Sequence, residues 1–262
     1  MKTICITGST RGIGLAMARE FLRKGCQVTL SGRGGSLDEL VINELNALPG
    51  KWIYVPCDVQ NISSLKRLWN ESIRRWNGVD IWVNNAGRST PHRNVWETDV
   101  DHTRQVIETN LLGMIYGAQV AAQGMLKQGH GAIYSMEGLG SNNMIQSNTI
   151  LYGTTKHALT YFMKGLANEL DGTGVIAGRL SPGMVLTDFI TSPPDGGPAE
   201  VYTNPKFRRL FNILADRPET VAEFFVPRML KNTRNDRRIA WLTNCKAAWR
   251  FATASRRKNR LV

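Results

Sequence analysis

The chain has 262 residues, 42% of them apolar, and a formal net charge of +12, which fits one large globular domain and excludes a disordered chain. No run of 18 apolar residues occurs, so no membrane-spanning helix is expected. Of the charge, +10 falls between Arg228 and Val262, where eleven Lys or Arg accompany one acid, Asp236; the basic character belongs to the C-terminal end rather than to the whole fold.

MKTICITGS enters a strand-like run at once, and the absence of a leader-like segment there leads to the expectation of a cytoplasmic protein. Apolar runs and amphipathic helices then alternate. Strands are expected at 2–8, 27–33, 52–59, 79–87, 131–135, 175–183 and 237–244. Helices are expected at 12–24, 37–48, 63–76 (with serine caps), 101–127, 152–170 and 218–230. This alternation predicts βαβ units and a Rossmann-type, doubly wound parallel sheet of about seven strands with helices on both faces. The whole of 1–262 is expected to form one domain. Cys5, Cys26, Cys57 and Cys245 form no C-x-x-C pair and read as small buried hydrophobes. His92, His102, His130 and His157 show no i,i+4 pairing, so no metal site is expected.

TGSTRGIG (7–14) lies between the first strand and the first helix. Gly8, Gly12 and Gly14 allow a tight turn and a close approach of backbone to a pyrophosphate at the helix N-terminus, with Thr10, Arg11 and Ile13 in the same turn. A dinucleotide cofactor is therefore expected. An NAD site wants a carboxylate at the end of strand two. Here Ser31-Gly32-Arg33 stands there, and Arg11 lies in the glycine turn. Two guanidiniums without a carboxylate suit a 2′-phosphate, so NADP(H) is favoured over two merely solvated arginines.

Tyr152 and Lys156 stand at i and i+4 on one helix face. An ammonium lowers the pKa of a nearby phenol, which can then protonate a carbonyl oxygen as hydride reaches the carbon. The pair gains its meaning from opening the helix after strand five, at the end of the sheet where ligands bind.

Together, TGSTRGIG, NNAG (84–87), Asn110 in TNLLG, YGTTK (152–156) and SPGMVLT (181–187) resemble the short-chain dehydrogenase/reductases. The resemblance implies hydride transfer between NADP(H) and a carbonyl or alcohol. It implies Tyr152 as general acid, Lys156 as its partner and ribose ligand, and Asn110 as holder of a proton-relay water. It places Asp58 and Val59 at the adenine, Asn85, Ala86 and Gly87 on the adenosine side, and Pro182, Gly183, Val185 and Thr187 beside the nicotinamide. It also implies a homodimer or tetramer paired through the long helices before and after strand five.

YSMEGLGS, YGTTKHAL, LSPGMVLTDF and FNILADRPETVAEFFVPRM are similar to the chlorophyll b reductases. That likeness implies reduction of the C7 formyl group of chlorophyll b or chlorophyllide b. The other reading is a short-chain reductase of a different ketone or aldehyde. Most short-chain reductases carry a serine 13 residues before the tyrosine, where this chain has Leu139. Ser135 has the local strand-end pattern but lies 17 residues away, which implies a four-residue insertion. In the chlorophyll b reductases a serine matches Ser141. Ser135 is favoured, Ser141 stays open, and Ser147 reads as loop surface.

In the substrate-loop region, about 188–217, and just before it, Met184, Leu186, Phe189, Phe207, Leu210, Phe211 and Ile213 either cover a flat macrocycle or are core. The basic tail, about 245–262, mixes Trp249 and Phe251 with six cations and no acid. It reads either as a peripheral anchor on anionic lipid or as a solvated tail. No nucleic-acid motif accompanies it.

Overall fold

The computed structural model describes residues 1–256 and 261–262. The apolar runs form β1 (Thr3–Ile6), β2 (Gln27–Gly32), β3 (Lys51–Pro56), β4 (Ile81–Asn84), β5 (Gly131–Met136), β6 (Val175–Ser181) and β7 (Arg237–Ala240). They pair in parallel in the order β3-β2-β1-β4-β5-β6-β7. The helices are α1 (Gly12–Arg23), α2 (Glu39–Asn46), α3 (Ile62–Trp76), α4 (Val100–Ile107), α5 (Gly113–Gln128), α6 (Ile150–Glu169), α7 (Asp188–Thr191), α8 (Glu200–Thr203), α9 (Pro205–Leu214), α10 (Pro218–Lys231) and α11 (Asn244–Ala252).

The strands read as unbroken apolar runs because both faces of the sheet are covered. Side chains alternate between the faces. Ile4 and Ile6 enter a core with Leu15 and Phe21 of α1 and Phe225 of α10. Cys5 points the other way, toward Leu65 of α3, Ala118 of α5 and Met163 of α6. Each fully buried Leu, Ile or Phe stabilises the fold by roughly 1.5–3 kcal/mol. The winding reverses between β1 and β4, which opens the crevice where ligands bind in such sheets.

Several details depart from the sequence reading. The cap of α3 is Asn61 rather than a serine; its side chain accepts from the backbone of Ser63 and Ser64. The long helix from Val100 is interrupted by a π turn, Glu108–Leu112. The substrate-loop region holds α7, α8 and α9, and most of the described tail is α11. Cys245 is exposed, unlike Cys5, Cys26 and Cys57. Arg257, Lys258 and Arg260 of the tail lie outside the described residues.

Candidate active site

Gly8 and Gly12 adopt positive φ, 62° and 56°, which a side chain would strain. A Cβ at Gly8 would meet the backbone of Ala86, and one at Gly14 the Gly8 carbonyl and the Asn85 amide. The glycine turn and the Asn85–Gly87 segment are therefore one packed unit. Thr7 Oγ1 accepts from the N–H groups of Asn85 (3.0 Å) and Ala86 (3.2 Å). Asn85 Nδ2 donates to the carbonyls of Thr7 (3.1 Å) and Gly8 (2.8 Å). α1 starts behind Arg11, whose side chain makes no cap hydrogen bond, leaving the first-turn N–H groups to other partners. This cradle fits a dinucleotide pyrophosphate.

At the end of β2, a Cβ on Gly32 would meet the Thr10 methyl and the Tyr54 hydroxyl. Arg33 is exposed and bonds to no described residue. Asp38, the nearest carboxylate in sequence, caps α2 by accepting from Leu40 N at 2.9 Å. Arg11 Nη1 lies 3.3 Å from Asp188 Oδ2, both side chains exposed. Asp58 is partly buried and accepts from Gln60 N at 3.1 Å, whereas Val59 and Ile13 pack into the cores. The Thr187 methyl faces Gly12, Gly183 is packed on Leu242, and Pro182 and Val185 are buried. The two sides of the crevice thus close on the glycine turn.

Tyr152 is partly buried at the start of α6, with its ring edge-on to Phe189 at 5.3 Å between centroids. Lys156 is buried, lies 5.7 Å from the Tyr152 ring centroid, and donates to the Met136 carbonyl at 2.9 Å. Burial pushes the Tyr152 phenol up. Burial also lowers Lys156 to about 8, against an opposing pull from Glu137. The sequence reading had the lysine depress the phenol; in this structure desolvation outweighs that effect, because both groups sit where charge is poorly solvated.

Ser135 and Ser141 each bond to partners other than Tyr152. Ser135 lies inside β5, and strand alternation turns it to α6, where its hydroxyl donates to Met163 Sδ at 3.2 Å. Met163 is eleven residues beyond Tyr152, about 16 Å along the helix axis. Ser141 Oγ accepts from Gly138 N at 3.1 Å and donates to the Lys156 carbonyl at 3.3 Å. No hydrogen bond among the described residues joins either serine to Tyr152. The residue beside the phenol is Gly138: a Cβ there would collide with the Tyr152 hydroxyl. Sequence reasoning gave Gly138 no role of its own. Counting to the first residues past the strand, rather than to a serine, was the available signal.

Asn110 lies buried in the π turn. Its Oδ1 accepts from Arg88 N at 2.7 Å and its Nδ2 donates to Arg88 O at 2.9 Å. The side chain thus clamps the segment after Gly87 to the helix, a positioning task beyond the expected water. π turns of this kind recur at functional sites.

Glu137, which sequence reasoning missed, is buried behind Lys156. Its Oε2 accepts from Arg238 Nε at 2.7 Å, and its Oε1 lies 3.7 Å from Arg179 Nη1. Arg179 in turn donates to Asp236 at 2.7 Å. A cavity of about 10 Å³, water-sized, is lined by Ser135, Glu137, Ser141, Lys156 and Arg179 among others.

Over the mouth, His92 Nδ1 meets Glu200 Oε2 at 3.0 Å and Arg93 bonds to Asp195 at 2.7 Å. The Gly140 and Ser141 carbonyls are held by His157 and Thr160 of α6, and Ser147 is exposed near the tip of that loop. Of the seven apolar residues weighed as a substrate cover, Phe211 is core; Met184, Leu186 and Phe207 pack against it. Leu210 is exposed, Ile213 is partly buried, and Phe189 stands at Tyr152.

Residues 2–195 match the short chain dehydrogenase family. The chain belongs to that family. Over 99% of its length this short-chain dehydrogenase is 31% identical to a protein of Arabidopsis thaliana named "Probable chlorophyll(ide) b reductase NYC1, chloroplastic", of which the match covers 54%. It is 32% identical over 99% of its length to "Chlorophyll(ide) b reductase NOL, chloroplastic" of the same plant, covering 76% of that protein. The chain thus spans about half the length of the first relative and three quarters of the second. Among solved structures, a short-chain type dehydrogenase/reductase from Mycobacterium ulcerans superposes with a TM-score of 0.79 at 22% identity, over 91% of this chain and 87% of that one. An alcohol dehydrogenase from Thermococcus sibiricus, complexed with 5-hydroxy-NADP, gives 0.76 at 23% identity, over 92% and 96%. These likenesses carry the fold. No helix among the described residues is long and apolar enough to cross a membrane.

Proposed function

We propose that this short-chain dehydrogenase is an NADPH-dependent reductase of the C7 formyl group of chlorophyll b or chlorophyllide b, yielding the hydroxymethyl pigment. One observation carries the reading. The match to the chlorophyll(ide) b reductases runs over 99% of the chain, past residue 195 where the family match stops. The extra segment includes the end of the substrate-loop region, α8 to α11, where substrate choice resides in loops grafted on a common fold. Chloroplastic names belong to the relatives, and a pigment-bearing membrane surface fits the same reading.

When bound, the nicotinamide supplies the hydride. Gly8, Thr10, Gly12 and Gly14 would hold the pyrophosphate side, Asp58 and the Asn85–Gly87 segment the adenosine side, and Pro182, Gly183 and Thr187 would flank the nicotinamide. Arg11 and Arg33 favour a 2′-phosphate, with Asp38 committed to its helix cap. Tyr152 gives its proton to the carbonyl oxygen. Lys156 steadies the resulting phenolate, and Asn110 keeps the Arg88 segment in place. Gly138, having no side chain, lets the Tyr152 hydroxyl sit against its backbone. Ser141 fixes the loop on α6, and Ser135 belongs to the wall beneath.

We further infer one domain over 1–262, with 188–217 as its substrate-loop region, and a dimer or tetramer paired through α5 and α6. Leu126 and Tyr161 on those helices are exposed. A short-chain reductase of another ketone or aldehyde is the alternative. Incubation with NADPH and chlorophyllide b separates the two readings: loss of the pigment aldehyde supports the first, and turnover of small ketones alone supports the second.

A further inference from the structure

We propose that the face built by α9 and α11 docks on an anionic lipid bilayer. α9 exposes Lys206, Arg208 and Arg209 and contains no acid. α11 also contains no acid, and it exposes Trp249 (67%) and Phe251 (50%). Arg250, between those two aromatics, is turned inward: Nη1 donates to the Leu214 carbonyl at the end of α9 (2.7 Å) and lies 2.7 Å from Asp216 Oδ2. With Arg250 turned inward, Trp249 and Phe251 flank it on the two sides of α11, about 200° apart round the helix, and both stay exposed.

The combination selects the occupant. Exposed indole and phenyl rings beside cations fit the boundary between headgroups and acyl chains. The net +10 between Arg228 and Val262 supplies long-range attraction to a negative surface. With no helix among the described residues able to span, the contact is peripheral. The face also connects to the site. Asp216 accepts from Trp241 Nε1 (2.6 Å), and its backbone pairs with Met184 (3.0 Å) and Leu186 (2.9 Å). Those residues precede Phe189, which packs on Tyr152. A docked α11 therefore holds the substrate-loop region at the lipid surface. Lipid binding is read without substrate, so its failure is distinct from failure of the pigment reading.

The test is co-sedimentation of the full chain with vesicles of phosphatidylcholine alone or mixed with phosphatidylglycerol. The expected result is at least roughly tenfold tighter binding to the anionic vesicles, weakened by added salt. Trp249→Ala with Phe251→Ala, and Arg208→Glu with Arg209→Glu, each lower that binding by roughly tenfold or more while circular dichroism and melting stay unchanged. Because the chain has seven tryptophans, ring insertion is read as quenching by brominated lipid that diminishes in Trp249→Phe. Equal binding to neutral vesicles, or anionic binding that survives both double variants, overturns the proposal. So does a lipid-free self-association that the same variants abolish, or an equal affinity for duplex DNA.

Discussion

The Tyr152 hydroxyl stands against Gly138, so closely that a single added carbon on the glycine would overlap it. The phenol thus occupies the place that a side chain at position 138 would fill. Gly138→Ala should push the phenol off its place and lower kcat/KM for reduction at least tenfold, with a stability loss of about 1–3 kcal/mol from overpacking. Steady-state kinetics alongside a denaturant melt would check it.

Ser135→Ala is the matching control. Among the described residues its hydroxyl hydrogen-bonds to Met163 Sδ alone, so the change should leave kcat within about twofold, below the 1.4 kcal/mol that a tenfold effect requires. A hundredfold fall would return Ser135 to the proton chemistry.

Tyr152→Phe removes the donated proton and keeps the packing against Phe189. We expect kcat to drop by about 10²–10⁴, with NADPH binding and the melting curve held near wild type. Single-turnover mixing separates the lost chemical step from lost binding.

Lys156 titrates near 8, and its charge disappears as pH rises through that value. Since the ammonium steadies the phenolate left after proton donation, kcat/KM for reduction should be flat below about 8 and fall above it. Glu137 raises this pKa. Glu137→Gln should therefore move the descending limb to lower pH, a displacement that a purely structural defect would not produce. The check is the pH profile of both forms with stability followed in parallel.

On the proposed reading, Arg11 and Arg33 set the preference for NADPH. Replacing both with Ala should weaken NADPH by roughly 10–100-fold, the worth of one or two charge-assisted contacts, and leave NADH nearly unchanged. Equal losses for the two cofactors would assign the arginines to general binding.

The parallel sheet and the glycine turn were legible because buried parallel strands and a strand-to-helix glycine turn leave strong local patterns; the strand order comes from the structure. The helices α7 and α8 were not, because each is a single turn and Pro193, Pro194 and Pro198 lie between them; α9 does carry start signals, the Asn204 cap and Pro205 at its first position, which the sequence reading passed over. At the candidate site, the place of Tyr152 and Lys156 at the start of α6, after β5, could be read. The serine could not, because the sequence shows which residues follow the strand but not which face each takes. Alternation turns Ser135 to Met163, and the turn after Met136 brings Gly138 to the phenol. Glu137 and Asp216 escaped for a similar reason: each draws its partners from residues distant in sequence, Arg179 and Arg238 for one, Trp241 and Arg250 for the other. The tail read as either anchor or solvated chain; Arg250 facing Asp216 makes part of it a packed helix.

The most direct measurement is transfer of deuterium from the C4 position of labelled NADPH to chlorophyllide b, read by mass spectrometry of the pigment. The account predicts one deuterium in a new C7 hydroxymethyl group, formed with wild type and lost with Tyr152→Phe. An unlabelled, unreduced pigment from an enzyme that still turns over small ketones would contradict it.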